Sequence, residues 1–480
     1  MMRKINKDLK KIINVGALIT ADLVSLSLSF ILAYVIRNNF LPLLFPHLTP
    51  TFPLTYYFLH SFLFILWLLV LAHEKLYTKR SPLWDEIRGL WKSTSICFFV
   101  VMILVFLARK EFFFSRLIIL MAWIFSLLFL PAFRYFTKFC LLKLGLWQKS
   151  VLILGDGETT NLVIEGINRN RIMGYEIKGI LKEKPEKWEE EIAGIPILGG
   201  IDDLKEICEK LEIRDFIIAL ANPSTEKIIN LLKQGEDLAE TIRIIPPTID
   251  LITVGVEIDN LGTTLALSLK KNLDKKVNLI LKMALEYLIC FLLIILATPL
   301  MLIIAVAIKI DSKGPIFFNQ IRLGKRGRPF KLMKFRSMYV EADEILEQYL
   351  AVNPRIKKEW EIFKKIRGYD PRVTRVGKIL RRFSLDELPQ LFNVLKGEMN
   401  LVGPRPYLKE EIEGLEPFFK TISKFRPGIT GLWQISGRSD VPMEKRLILD
   451  EYYLRNWSLW LDFMISVRTI KAILTGKGAY

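Results

Sequence analysis

Two adjacent carboxylates, Asp386 and Glu387, stand in the string Ser384-Leu385-Asp386-Glu387-Leu388-Pro389-Gln390, just after Arg381 and Arg382. Neighbouring acids repel, so one must be paired or hold a cation to stay ionised. One carboxylate is then able to hold Mg²⁺ through its oxygens while the other attacks phosphorus. Taken alone, an Asp-Glu pair reads as an ordinary solvated helix start. Its companions in the chain change that reading. Gly403-Pro404-Arg405-Pro406 is stiff and fixes the pose of an arginine, whose fork matches phosphate oxygens. In Lys331-Leu332-Met333-Lys334-Phe335-Arg336, strand alternation would project Lys334 and Arg336 from one face. A turn-rich loop runs from Arg426 through Pro427, Gly428, Thr430, Gly431 and Trp433 to Gln434, and Arg438 follows. Two acids among several restrained cations suit phosphoryl transfer on a diphosphate, where catalysis is mostly positioning and charge neutralisation.

Composition narrows the partners. The formal charge of +18 calls for anionic ones, and the basic residues lie beside apolar segments. That placement favours a membrane surface or a phosphorylated substrate over nucleic acid. The three histidines, His47, His60 and His73, precede every candidate above, so histidine catalysis is excluded there. Cys97, Cys140, Cys208 and Cys290 show neither metal spacing nor a disulfide framework.

These groups need elements to position them. Four apolar segments, near 12–36, 52–72, 93–108 and 112–133, are expected to cross a bilayer. Basic residues cluster at the N-terminus, between Lys75 and Lys92, and at Arg134, Lys138, Lys143 and Lys149, while 38–53 has no Lys or Arg. The positive-inside rule then puts both ends of this bundle in the cytoplasm. Asp22 lies inside the first segment and is read as a structural hydrogen-bond partner. From Ser150 the texture becomes alternating β and α, with strands expected at 151–154, 176–181, 195–198 and 215–220, a small Rossmann-like parallel sheet. A stretch at 287–308 is apolar throughout with Pro299 at its middle, yet basic on both flanks. A helix–break–helix that enters one leaflet and returns satisfies both facts. The expected organisation is a four-helix transmembrane domain at 1–148, a Rossmann-like domain at 149–250, a linker at 251–274 and an α/β catalytic domain at 275–480 with its re-entrant helix near 280–309.

The last of these regions resembles the bacterial sugar transferases, the polyprenyl-phosphate hexose-1-phosphate transferases (phosphoglycosyl transferases). The matching strings are Gly314-Pro315-Ile316-Phe317-Phe318-Asn319-Gln320 with Arg322 and Gly324, Lys334-Phe335-Arg336-Ser337-Met338, Asp386-Glu387-Leu388-Pro389-Gln390-Leu391, Leu401-Val402-Gly403-Pro404-Arg405-Pro406 and Pro427-Gly428-Ile429-Thr430-Gly431-Leu432-Trp433-Gln434. Asn456-Trp457-Ser458-Leu459-Trp460 and the tail Gly478-Ala479-Tyr480 are most similar to the undecaprenyl-phosphate galactose phosphotransferases. The resemblance implies Asp386 as nucleophile on the sugar-proximal phosphate of a UDP-sugar, a glycosyl-phosphoryl aspartate, and undecaprenyl phosphate as acceptor. It implies Glu387 as the Mg²⁺ ligand. Lys334, Arg336, Arg381, Arg405, Arg426, Gln434, Arg438 and Arg322 are expected to bind substrate, and Thr298-Pro299 to break the membrane hairpin. It further implies a multi-pass enzyme of the bacterial inner membrane, with its soluble domains in the cytoplasm, that starts a surface polysaccharide. A homodimer is compatible with the apolar bundle and middle domain.

Three departures from the family pattern stand out. Thr298 replaces the usual Ser before the hairpin proline. Lys282-Met283-Ala284-Leu285-Glu286 replaces Lys-Arg-x-x-Asp. The Gly155-x-Gly157 turn of the middle region continues to Thr160 where a dinucleotide fingerprint has a small residue, so that region reads as regulatory or oligomer-forming. Two other readings compete with this one. A membrane-anchored nucleotide-sugar dehydratase or epimerase needs a Tyr-x-x-x-Lys dyad, and Tyr175-Glu176-Ile177-Lys178 has the wrong spacing. A non-catalytic nucleotide-sensing scaffold would tolerate loss of Asp386.

Overall fold

The computed structural model describes residues 7–48, 53–55, 63–107, 115–183, 190–220, 223–236, 238–245, 256–261, 264–269, 273, 275–363, 366, 368–413, 416–436 and 442–475. The chain divides into two compact units, Met1–Pro247 and Thr248–Tyr480.

In the first unit, α1 (Lys7–Val35) packs along α4 (Arg116–Lys143), with α2 (Phe64–His73) and α3 (Leu83–Leu107) beside them. Of the expected apolar segments, the second appears as α2, which at 10 residues is shorter than a bilayer requires; residues 56–62 lie outside those described. Among the described residues, four helices are long and apolar enough to cross: Asp8–Leu44, Leu83–Leu107, Arg116–Lys143 and, in the second unit, Lys276–Asp311.

The bundle is pinned by buried charge. Asp22 accepts from Arg134 Nε at 2.8 Å and Nη2 at 2.6 Å, and from the Tyr77 hydroxyl at 2.7 Å. Glu86 accepts from Lys138 at 2.6 Å. Two acids thus balance two cations inside an apolar bundle, as buried ions must be balanced. This settles Asp22 as a structural partner. It also revises the topology argument, because Arg134 and Lys138 are countercharges in the bundle rather than free residues at its rim.

Beyond the bundle, β1 (Lys149–Leu154), α5 (Gly157–Arg169), β2 (Tyr175–Lys182), β3 (Glu191–Ile192), β4 (Ile195–Gly200), α6 (Leu204–Leu211), β5 (Asp215–Ile218), α7 (Thr225–Glu236) and β6 (Thr241–Ile244) build a six-stranded sheet of order β3-β4-β2-β1-β5-β6. Every pairing is parallel except β3 with β4. All four expected strands are present; β3 and β6 are additional. Residues 151–154 are buried, as a strand covered on both faces requires. Gly155 (φ 154°) ends β1 where a Cβ would lie 2.2 Å from the Ala219 carbonyl oxygen, so only glycine fits. Thr160 is fully buried and donates to that same carbonyl at 3.2 Å.

The second unit opens with a hairpin. Residues 251–274 were expected to be a linker, but β7 (Val256–Leu261) and β8 (Thr264–Leu269) pair antiparallel over six residues each. Their period-two alternation, Val256-Glu257-Ile258-Asp259 against Leu265-Ala266-Leu267-Ser268, is the strand pattern that the linker reading overlooked. α8 (Lys276–Asp311) then runs 36 residues as one helix, with Pro299 inside it. The expected break is therefore a proline within a continuous element. The Thr298 hydroxyl donates to Ile294 O at 2.7 Å, rather than to the Ile295 carbonyl that Pro299 leaves without its donor. One stripe of α8, Lys282, Glu286, Cys290, Met301, Ile304 and Ile308, is buried. Much of the rest is exposed and apolar, Leu296 at 78% and Ile310 at 81%, a surface that belongs in hydrocarbon.

The hairpin β9 (Phe317–Leu323) and β10 (Pro329–Phe335), α9 (Ala342–Val352), α10 (Pro354–Phe363), α11 (Arg375–Arg382) and α12 (Gln390–Leu395) follow, and β10, α11 and α12 pack against that stripe. The parallel pair β11 (Asn400–Val402) and β12 (Gly428–Thr430) follows, with α13 (Glu416–Ile422), α14 (Leu432–Ile435), α15 (Met443–Arg455) and α16 (Leu459–Thr475). Met301, Ile304 and Ile308 join Phe335 and Leu380 in one core, and Cys290 joins Leu332, Leu391 and Val394 in another.

Candidate active site

Asp386 and Glu387 lie in a single 3-10 turn, Leu385–Glu387, between α11 and α12. Ser384 leads into it with φ 52°, a left-handed conformation that a non-glycine residue keeps only where its surroundings hold it. Leu385 and Leu388 supply that hold by packing on the Met301–Ile308 core.

Three side chains set the charge of the turn. Lys334, from β10, bonds Glu387 Oε1 at 2.7 Å. Arg381, from the end of α11, donates its Nε to the Ser337 hydroxyl at 2.9 Å. Burial pushes the Asp386 carboxyl up to about 6; Lys334 pulls it back, Glu387 adds to the rise and Arg381 pulls back again. With its carboxyl near 6, Asp386 is mostly ionised at neutral pH, as a nucleophile must be. Backbone contact fixes Ser337: a Cβ on Gly377 would lie 2.0 Å from the Ser337 carbonyl oxygen, so α11 approaches this residue as only glycine allows.

A second cluster adjoins the first. Arg322 and Arg405 share Glu411, at 3.2 and 2.9 Å. Arg405 lies 5.0 Å above the Trp433 ring, and Arg446 lies 5.4 Å from the same ring. The amide of Arg405 donates to Asp450 at 3.0 Å, and the Tyr407 hydroxyl donates to the same oxygen at 2.7 Å. Asp450 is fully buried, which pushes its carboxyl up to about 7. The charge of Glu387 is felt at Arg322, which ties the clusters together. Beside Trp433, Gln434 Oε1 is buried with no hydrogen-bond partner among the described residues.

The structure therefore gathers Asp386, Glu387, Lys334 and Arg381, with Arg322, Arg405 and Gln434 around the adjoining cluster. Arg336 goes elsewhere. It donates to the carbonyls of Ser312 (2.8 Å) and Lys313 and to the Ser312 hydroxyl (3.0 Å), closing the C-terminal end of α8. Strand alternation predicts a shared face with Lys334, and the Arg336 amide continues the β9–β10 ladder by donating to Ile316 O at 2.8 Å, but its guanidinium is committed to the end of α8. Arg426 bonds the Tyr287 hydroxyl at 3.2 Å. Tyr287 precedes Met301, which backs the Asp386 turn, by roughly 21 Å of helix at about 1.5 Å per residue. Arg438 and the tail at 478–480 lie outside the described residues.

Sequence reasoning gave Ser337 no role although it stands in the Lys334–Met338 string, and it missed Glu411, Asp450 and Arg446, which carry no local signal. It also missed a buried centre on α8, where Lys282 bonds Glu286 at 2.8 Å, Asp462 at 2.7 Å and the Tyr453 hydroxyl at 3.1 Å. The i,i+4 spacing of Lys282 and Glu286 was its one legible trace.

Among the described residues no group of three or more His, Cys, Asp or Glu is placed to hold a metal. Mg²⁺ ordinarily takes only one or two carboxylates and completes its shell with water and substrate phosphates. The Asp386–Glu387 pair fits that mode.

A family model described as bacterial sugar transferase matches residues 277–476, and one described as CoA-binding domain matches residues 76–246. The chain is 32% identical over 407 residues to the undecaprenyl-phosphate galactose phosphotransferase of Salmonella typhimurium, covering 84% of each. It is 31% identical over 485 residues to the UDP-galactose-lipid carrier transferase of Erwinia amylovora, covering all of both. It is 32% identical over 350 residues to the UDP-glucose:undecaprenyl-phosphate glucose-1-phosphate transferase of Klebsiella pneumoniae, covering 70% of each. The residues at the β1–α5 turn do not fit the phosphates of CoA. Asp156 and Glu158 place carboxylates at the positive end of α5, and Thr160 spends its hydroxyl on Ala219.

Proposed function

The chain belongs to the bacterial sugar transferase family, and we propose from that premise that it moves a hexose-1-phosphate from a UDP-sugar to undecaprenyl phosphate, with galactose as the sugar. The observation that carries this reading is the Asp386 carboxylate, raised by burial yet kept ionisable by Lys334 and Arg381. In the first half-reaction, an Asp386 oxygen attacks the sugar-proximal phosphorus. The bridging P–O bond of the diphosphate breaks and UMP leaves with that oxygen. In the second, a phosphate oxygen of the lipid carrier attacks the same phosphorus and Asp386 departs as carboxylate. The products are UMP and undecaprenyl-diphosphate-hexose, the first intermediate of a surface polysaccharide.

Each residue has a task in this scheme. Arg381 neutralises charge on the phosphoryl oxygens, held in pose by Ser337. Arg405 and Arg322, braced on Glu411, meet the departing nucleotide's phosphate. Lys334, paired with Glu387, favours the ionised form of Asp386. Glu387, with the donor's phosphates, would hold Mg²⁺, which supplies charge neutralisation to the diphosphate.

The enzyme is a membrane protein, and we place it in the inner membrane with its soluble parts in the cytoplasm, where nucleotide-sugars are. Basic flanks at both ends of α8, with Pro299 between them, support a helix that bends and returns to the same leaflet. The sheet domain, a Rossmann-like fold in this reading, then serves regulation or a homodimer contact.

UMP release by purified protein with Mg²⁺ and undecaprenyl phosphate tests the proposal. UDP-galactose is expected to give lipid-dependent UMP, and Asp386→Asn to abolish it. UDP-glucose as the preferred donor would overturn the sugar. Equal UMP from wild type and Asp386→Asn would overturn the nucleophile.

A further inference from the structure

We propose that Lys325, Arg326 and Arg426 form a second anion site, apart from the Asp386 turn, that holds the phosphate headgroup of an anionic bilayer lipid beside the N-terminal end of α8. The cations come from two segments. Lys325 and Arg326 stand at the tip of the β9–β10 hairpin, and Arg426 precedes β12. A cavity of about 30 Å³ joins Lys325 and Arg426 to Leu279 and Met283 of α8 and to Asn400. Its volume suits a water rather than a headgroup, so the phosphate belongs at its mouth.

Charge is left over at this point. Among the described residues, none of the three cations forms an ion pair, whereas Lys282 in the same lining is neutralised by Glu286 and Asp462. The charges felt at the Lys325 amine are those of Arg426 and Arg326, both of like sign. Arg326 is also held in the left-handed region (φ 58°), its amide donating to Ser423 O at 2.5 Å. Cations gathered this way, with Lys325 and Arg326 exposed, form a concentrated positive surface to which an anion is attracted.

The neighbouring surface identifies the source of that anion. Val277, Ile280 and Leu281 are 75%, 66% and 44% exposed on the first turns of α8, and Lys275 and Lys276 flank them. An apolar helix end with basic flanks sits where hydrocarbon gives way to headgroups. Unpaired cations at that level face lipid phosphates, while nucleotide phosphates meet the Asp386 turn roughly 20 Å along the helix.

The test is native mass spectrometry of the full chain equilibrated with equal phosphatidylglycerol and phosphatidylcholine. Wild type is expected to retain phosphatidylglycerol preferentially. Each of Lys325→Gln, Arg326→Gln and Arg426→Gln is expected to cut that preference about fivefold. Lys325→Arg and Arg426→Lys are expected to keep it, which separates charge from folding, and Arg355→Gln with Lys357→Gln on exposed α10 to leave it unchanged. An unchanged preference in the triple glutamine variant would overturn the site. Complete displacement of phosphatidylglycerol by inorganic phosphate would overturn the lipid assignment in favour of a soluble anion.

Discussion

Changing Lys334 to methionine keeps a long side chain and removes its charge. Lys334 lies 2.7 Å from Glu387, and both side chains are about a quarter exposed, at 26% and 28%. It is also the largest influence favouring ionised Asp386. An opposite charge within a few Å, partly screened by solvent, is worth roughly 1–2 kcal/mol, close to the ~1.4 kcal/mol of a tenfold change in ionisation. Removing it raises the Asp386 carboxyl above its value of about 6, so the acid limb of kcat/KM moves to higher pH. On that limb the rate follows the ionised fraction, and the variant should fall about tenfold below wild type beyond any loss at alkaline pH. The assay is initial-rate UMP release from about pH 5 to about pH 9. Lys334→Arg should keep the limb in place. The displacement of the limb, rather than its absolute position, is the quantity compared. A limb that stays put in Lys334→Met, or moves to lower pH, refutes the electrostatic reasoning.

Arg336→Ala should lower thermal stability by about 2–3 kcal/mol, because the carbonyls of Ser312 and Lys313 lose a charged donor; KM for the donor sugar in the surviving folded protein should not change, and a selective rise in KM would return Arg336 to the substrate. Asp22→Ala leaves Arg134 buried without its main counterion and should cost about 3–5 kcal/mol, with Asp22→Ala combined with Arg134→Met recovering part of it; additive losses on thermal unfolding would contradict this. Asp450 has a folded-state value near 7, above its ordinary 3.8. The fold therefore binds a proton that the unfolded chain has released, and stability falls as pH rises through that window, by at most about 1.4 kcal/mol per pH unit. Asp450→Asn keeps an acceptor for Arg405 and Tyr407 and should flatten that slope; an unaltered slope in pH-dependent unfolding would exclude Asp450 as its source.

Much of the second unit was legible because its chemistry is written in short strings. Asp386-Glu387 and Gly403-Pro404-Arg405-Pro406 announce restrained charge wherever they occur. The sheet was legible because β1 and β5 are short apolar runs, and β2 and β4 are apolar-rich segments bounded by turns. Two readings failed for a stated reason. The hairpin at β7 and β8 was hidden by its polar alternate residues, although alternation is itself a strand pattern. The substrate role expected of Arg336 was not met by its contacts, because alternation says which way a side chain starts and not which carbonyls it reaches.

What the sequence by itself determined is therefore local: the apolar lengths, the acid pair, the stiff arginine turn and the family to which these strings belong. Tertiary structure alone decided which cations meet which acids. Lys334 reaches Glu387 across 53 positions, Arg134 reaches Asp22 across 112, and Lys282 reaches Asp462 across 180. Buried charge must find a partner wherever the packing brings one, and no spacing along the chain records that distance.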